Sequence, residues 1–214
     1  MNKQVLFLNH IDEDVLKNHN KNSVVQFSSF PLIRTNPISI NTSNFDKSVP
    51  WVFTSQTAVE CMKGSNFPEK IYAIGKRTAS LLPHAIIPEI ATASRLADLI
   101  NDNKEKEVLF ICGNKRRMAL LNKLKSYGIQ LKQEVVYRTE IIKKTVNLDS
   151  IDGLVFMSPS SVESLVLNGG FNNLPTFAVG STTAQALEDN GQQAIISDES
   201  SVQSLINTVN KYFH

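Results

Sequence analysis

Short apolar runs rich in β-branched and aromatic residues alternate along this chain with longer stretches whose apolar residues recur every three or four positions. The runs, at 5–8, 23–27, 51–54, 71–74, 108–111, 133–137, 154–157 and 177–179, read as strands. Stretches such as Leu96, Leu99, Ile100 and Met118, Leu120, Leu121, Leu124 read as amphipathic helices. Alternation of this kind predicts parallel sheets covered by helices, an α/β fold.

The pattern also repeats. WVFTSQTAVECM at 51–62 aligns with LVFMSPSSVESL at 154–165, so that Phe53, Ser55, Val59 and Glu60 fall on Phe156, Ser158, Val162 and Glu163. IYAIGKRTASLL at 71–82 aligns with TFAVGSTTAQAL at 176–187, and VLF at 5–7 with VLF at 108–110. Three blocks in one order at nearly one spacing indicate an internal duplication. The connector 30–38, with Pro31 and Pro37, reads as extended chain. Its counterpart, 135–146, likewise lacks helical periodicity. If both cross between two lobes, at about 31–40 and 135–146, each lobe mixes the start of one half with the end of the other. One lobe then holds 1–34 plus 139–214 and the other 36–137, with the linkers side by side as a hinge.

The repeated blocks share a chemical feature. Each passes from a strand into Ser, Thr or Gly and then into a helix: Thr54-Ser55-Gln56-Thr57, Gly75-Lys76-Arg77-Thr78, Ser158-Pro159-Ser160-Ser161 and Gly180-Ser181-Thr182-Thr183. A fifth turn, Cys112-Gly113-Asn114-Lys115-Arg116-Arg117, adds three cations. Thr57 with Glu60, and Ser160 with Glu163, have capping-box spacing. In a parallel sheet such turns lie at the carboxyl ends of the strands, where open α/β folds bind ligands. Helix starts present N–H groups and partial positive charge, which suit carboxylates and phosphates. Ser and Thr cap helices everywhere, so one turn decides nothing; four matched turns in two repeats point to a shared anionic ligand.

Composition narrows the classes. With 42% hydrophobic and 20% charged residues over 214 positions, the chain is globular rather than disordered or fibrous. A net charge of +2 is too weak to mark a nucleic-acid binder. Cys61 and Cys112 are the only cysteines, which excludes a disulfide framework or multi-cysteine zinc site. His10, His19, His84 and His214 lack ligand-like spacing, so no metal is expected. No apolar run is long enough to span a membrane, and 5–8 is a strand rather than a signal peptide, so a cytoplasmic protein is expected. Neither GxGxxG, nor GxxxxGK[ST], nor GxSxG occurs.

The blocks FTSQTAVE, IYAIGKRTASLL, FMSPSSVESL and FAVGSTTAQALEDNG, together with LKSYGIQLKQEVVYRTE at 124–140, resemble the uroporphyrinogen-III synthase family, in order and over nearly the whole chain. The resemblance implies two flavodoxin-like parallel-sheet lobes joined by a two-stranded linker. It implies a monomeric lyase of tetrapyrrole (haem) biosynthesis that needs no metal or organic cofactor. The substrate would be hydroxymethylbilane, a linear tetrapyrrole with eight carboxylates, closed with inversion of its last pyrrole and loss of water. The family's tyrosine falls on Tyr137. Its serine and threonine positions fall on Ser55, Thr78, Ser158, Thr182 and Thr183. With the neighbouring turn residues, the expected substrate-binding set is Ser55, Gln56, Gly75, Lys76, Thr78, Ser158, Ser160, Gly180, Ser181, Thr182 and Thr183. A phenol stays protonated at neutral pH, so Tyr137 is expected to assist departure of the hydroxyl. Two departures stand out: Asn9-His10 where many members carry Arg-Pro, and Cys112-Gly113 where many carry Arg-Gly. Lys115, Arg116 and Arg117 are candidates to supply the missing charge. The rival reading is a non-catalytic clam-shell binding module for an anionic small molecule.

Overall fold

The computed structural model describes residues 2–20, 24–116 and 118–214. Ser23 of the second expected strand and Arg117 of the basic turn lie outside the described residues. In chain order the elements are β1 (Lys3–Phe7), α1 (Glu13–Asn20), β2 (Val25–Ser29), β3 (Ile33–Pro37), β4 (Trp51–Phe53), α2 (Gln56–Cys61), β5 (Ile71–Ala73), α3 (Lys76–Ala79), α4 (Ala93–Asp102), β6 (Glu107–Gly113), α5 (Met118–Ser126), β7 (Gln130–Ile141), β8 (Gly153–Phe156), α6 (Pro159–Leu167), β9 (Thr176–Ala178), α7 (Ser181–Glu188), β10 (Ala194–Ile196) and α8 (Val202–Phe213). The chain packs as two compact units, Met1–Arg34 with Glu140–His214, and Thr35–Thr139.

The first unit is a five-stranded sheet in the order β10-β9-β8-β1-β2, with every pairing parallel. Its central strands are apolar on both faces. Leu6 and Leu8 join Leu154 and Phe156 beneath Val162, Leu165, Ala184 and Leu187 of α6 and α7. Val5 and Phe7 alternate to the other face, against Leu16 of α1 and Leu205, Ile206 and Val209 of α8. Alternation with a period of two thus sends consecutive residues into two cores, and helices must cover both faces. At the amino ends of the strands, Asp152 accepts from Lys3 Nζ and from the Gln4 N–H, both at 2.8 Å.

The second unit has the order β3-β7-β6-β4-β5. Pairings β7-β6, β6-β4 and β4-β5 are parallel, and an isolated parallel bridge joins Tyr72 to Ile86 beyond β5. Trp51, Phe53, Leu109 and Ile111 face Ala58, Val59 and Leu82. Val52, Val108 and Phe110 face Leu96, Ile100, Leu120 and Leu124 of α4 and α5. At the amino ends, buried Tyr72 donates to Glu105 Oε1 at 2.8 Å, and Lys70 Nζ lies 2.6 Å from the same oxygen. Burial, then the carboxylate, hold the Tyr72 phenol well above its ordinary pKa.

The two sheets share one strand order once the duplication is applied. β2-β1-β8-β9-β10 corresponds to β7-β6-β4-β5 followed by the Ile86 bridge. Each is the 2-1-3-4-5 order of flavodoxin-like sheets. The first unit takes its first two strands from the first repeat and the rest from the second; the second unit does the reverse. The chain passes from one unit to the other within β3 and again within β7, and these strands are neighbours.

Three expectations change. β7 spans 12 residues rather than the five at 133–137, because Gln130, Leu131 and Lys132 already pair with β6 and the strand runs on past Thr139, where the second unit ends. β10 is an additional edge strand with no long apolar run. The capping boxes at Thr57 and Ser160 do not form. Both helices begin directly after the strand, with Ser55 and Ser158 as caps, which places Thr57 and Ser160 inside the first turn. Pro159 sits in that first turn, where its missing N–H costs nothing. No helix among the described residues is long and apolar enough to cross a membrane.

Candidate functional site

In the second unit the turns after β4 and β5 stand side by side, because the strands are adjacent and parallel. Ser55 is extended (φ −144°, ψ 144°) and its Oγ accepts from the Ala58 N–H at 3.0 Å, closing the start of α2. Gln56 donates from Nε2 to the Arg77 carbonyl at 3.2 Å, tying this turn to the next. Gly75 caps α3 without a side chain. A Cβ there would lie 2.8 Å from the Ala91 Cβ, so the loop before α4 requires glycine. Lys76 is exposed, whereas Thr78 is buried.

Tyr137 lies on β7 with its Oη 3.0 Å from Ser55 Oγ. Its ring packs directly against the backbone of Gly113 at the end of β6. A Cβ on Gly113 would come within 2.5 Å of two ring carbons and 2.9 Å of Oη. The approach depends on a bulge: Cys112 pairs with Val135 but Gly113 with Tyr137. Asn114 then clamps β7. Its N–H donates to the Tyr137 carbonyl at 3.1 Å, its Oδ1 accepts from the Thr139 N–H at 2.8 Å, and its Nδ2 reaches the Thr139 carbonyl at 3.4 Å. Burial raises the Tyr137 phenol above its ordinary pKa, opposed by the Ser55 hydrogen bond and reinforced slightly by the thiols of Cys112 and Cys61. The phenol is therefore a proton carrier at neutral pH.

The turns after β8 and β9 of the first unit are built alike. Ser158 Oγ accepts from the Ser161 N–H at 3.3 Å. Asn9, at the end of β1, accepts from the Met157 N–H at 2.8 Å and donates from Nδ2 to Ser158 Oγ at 3.4 Å, while its carbonyl accepts from Ser29 Oγ at 2.8 Å. Asn9 therefore joins three strand ends. Ser160 is half-buried. Gly180 caps α7 in extended conformation with no side-chain acceptor. Ser181 and Thr182 are exposed; Thr183 is buried.

Thus Ser55, Gln56, Gly75, Lys76 and Tyr137 gather at the carboxyl end of one sheet, and Ser158, Ser160, Gly180, Ser181 and Thr182 at that of the other. Thr78 and Thr183 occupy equivalent third positions after the capping glycine, with side chains turned inward. Arg116 lies on the basic turn and bonds Gln133 and the Asn114 carbonyl. Gly113 and Asn114 belong to the fifth turn read from the sequence, but their role as positioning residues for Tyr137 is visible only in the structure.

A family model described as uroporphyrinogen-III synthase HemD matches residues 17–207. The uroporphyrinogen-III synthase of Saccharomyces cerevisiae is 25% identical over 226 aligned positions, covering 85% of this chain and 80% of the yeast protein. The crystal structure of uroporphyrinogen-III synthetase from Helicobacter pylori superposes with a TM-score of 0.65 at 18% identity, covering 98% of this chain and 99% of that one. A mutant uroporphyrinogen III synthase from Thermus thermophilus gives 0.68 at 16% identity, covering 99% and 97%. At these identities the two structures attest the two-sheet α/β fold. The match of the family model across nearly the whole chain carries the assignment further: the chain belongs to the uroporphyrinogen-III synthase family.

Proposed function

We infer that the protein catalyses the uroporphyrinogen-III synthase reaction, closing hydroxymethylbilane to uroporphyrinogen III with loss of water, as a monomeric cytoplasmic enzyme without a cofactor. The observation that carries the mechanism is the placement of Tyr137, a half-buried phenol fixed against Gly113 and hydrogen-bonded to Ser55 at the carboxyl end of its sheet.

The substrate's hydroxyl is a poor leaving group. A hydrogen bond from the Tyr137 O–H to that oxygen assists its departure as water, while the adjacent pyrrole nitrogen supplies the electron pair and becomes an azafulvene. The new electrophile is then attacked by the terminal pyrrole. Attack from the α-carbon that already carries the methylene bridge gives a spiro intermediate. That bridge bond then breaks to leave a second azafulvene on the preceding ring, which the free α-carbon of the terminal pyrrole attacks with loss of its proton, inverting the ring. Choosing this route over direct closure is a matter of holding that ring, not of added chemistry. The substrate's eight carboxylates suit the helix starts at Ser55, Gly75, Ser158 and Gly180, whose N–H groups and partial charge favour anions. Exposed Lys76, Ser181 and Thr182 add donors beside them. Thr78 and Thr183, being buried, support these turns from inside.

The test is to generate the bilane in situ and resolve the type I and type III isomers. The wild-type protein is expected to yield type III. Tyr137→Phe is expected to lower its rate by about 10²-fold or more, leaving spontaneous type I product. Type I alone from the wild-type protein would reject the enzyme reading in favour of a binding module. Full activity in Tyr137→Phe would remove the acid role.

A further inference from the structure

We propose that Ser55 is a positioning residue for Tyr137 rather than a substrate ligand: its hydroxyl donates to the phenol oxygen and so leaves the phenol proton free for the departing hydroxyl. The proposal rests on the reading of Tyr137 as the proton donor.

The argument is one of hydrogen-bond capacity. A serine hydroxyl has one hydrogen and two lone pairs. One lone pair of Ser55 accepts from the Ala58 N–H at 3.0 Å, an obligation set by the start of α2. The other partner of Ser55 Oγ is Tyr137 Oη, also at 3.0 Å. If Tyr137 donated across this contact, its proton would be held by the protein, and the serine hydrogen would have no acceptor among the described residues. If Ser55 donates, its hydrogen is paired within the protein and the phenol proton is the one left for a substrate oxygen. Acceptance from a backbone N–H polarises the serine and makes it a better donor, since chained hydrogen bonds strengthen one another.

The surroundings hold this geometry. The Gly113 backbone bounds the ring on one side, and Asn114 fixes the main chain at Tyr137 and Thr139. The other titratable groups that act on the phenol are the Cys61 thiol at the end of α2 and the Cys112 thiol on β6. Burial raises the pKa of both, so they are neutral where the enzyme works. Ser55 is thus the group that stabilises negative charge as the phenol proton moves away, and it offsets the effect of burial on Tyr137.

Two readouts test this, one of them independent of turnover. Tyrosinate absorbance is followed against pH, with the Tyr137 component isolated by difference from Tyr137→Phe. Ser55→Ala is expected to move that titration to higher pH by on the order of one unit, and to lower kcat with KM for the bilane little changed. Ser55→Thr keeps the hydroxyl and the cap and is expected to restore both. The restoration separates the donor role from loss of the cap, which Ser55→Ala also removes. Ser55→Ala with an unshifted Tyr137 titration overturns the proposal, as does a rise in KM with kcat intact, which would make Ser55 a substrate ligand. A fully active Tyr137→Phe overturns the acid reading and this proposal with it. An inactive Tyr137→Phe beside an unshifted Ser55→Ala overturns the proposal alone.

Discussion

Gly113 and Tyr137 form a matched pair, one residue lacking a side chain where the other lays its ring. Gly113→Ala puts a methyl within 2.5 Å of ring carbons, so the ring or the β6 end must move. A displacement of about 1 Å at a proton donor can cost 10²-fold in rate. Gly113→Ala is expected to lower kcat by about that factor with KM nearly unchanged, read in the isomer assay, while circular dichroism shows the fold retained. Tyr137 was legible in the chain through the resemblance, whose tyrosine falls within VVYRT. Gly113 was visible as part of the basic turn after β6, but not as the partner of Tyr137. The bulge that sets it opposite Tyr137 breaks the period of two, and no hydrophobic pattern encodes such a slip. Asn9 was legible as a departure from an expected arginine but not as a joint between strands. Its partners come from β2 and β8, the latter some 150 positions away in sequence.

At the scale of elements, the strand-to-helix turns were the most readable part of the chain, and their caps the least. SPSSVE offers three hydroxyls, each able to start a helix. What selects Ser158 is the end of β8, which leaves no room for a longer turn. Ser158→Ala removes both the cap and the partner of Asn9, and is expected to destabilise the protein by about 1 kcal/mol. A lowered urea midpoint with unchanged slope would read this out. The short edge strand β10 escaped notice because three residues carry almost no period, and its side chains are not fully buried. β7 was read as five residues because its outer part is polar. It is a strand by pairing rather than by burial.

The duplication was legible at the scale of the molecule because matched blocks recur in one order. The helix-covered sheets followed from strands apolar on both faces. Electrostatics at this scale depend on few cations. KM for an octa-anionic substrate is expected to rise with ionic strength, since exposed groups such as Lys76 are screened within about 10 Å at 0.1 M salt. Steady-state assays across a salt series check it, and Lys76→Ala should flatten the slope. Stability should depend on alkaline pH through Cys112. Burial raises its thiol from an ordinary 9.0 to about 11. The neutral thiol is what the core accepts, so this contribution is intact below pH 9 and declines as pH rises from 9 to 11. Urea titrations across that window should show the decline in the wild-type protein and a smaller one in Cys112→Ala.

The discontinuous first unit has a consequence for the order in which the chain is made. Thr35–Thr139 is one uninterrupted segment, so it can be complete and folded while synthesis continues. β1 and β2 are made well before the strand that pairs with the other side of β1, Gly153–Phe156. At the usual pace of translation they wait on the order of 10 s for it. During that time Val5, Leu6 and Phe7 have α1 at most beside them and lack α6, α7 and α8, which later bury them. Until β8 is made, β1 and β2 are the strands of this unit most in need of a chaperone, and α8, which follows later still, closes the core on the face of Val5 and Phe7.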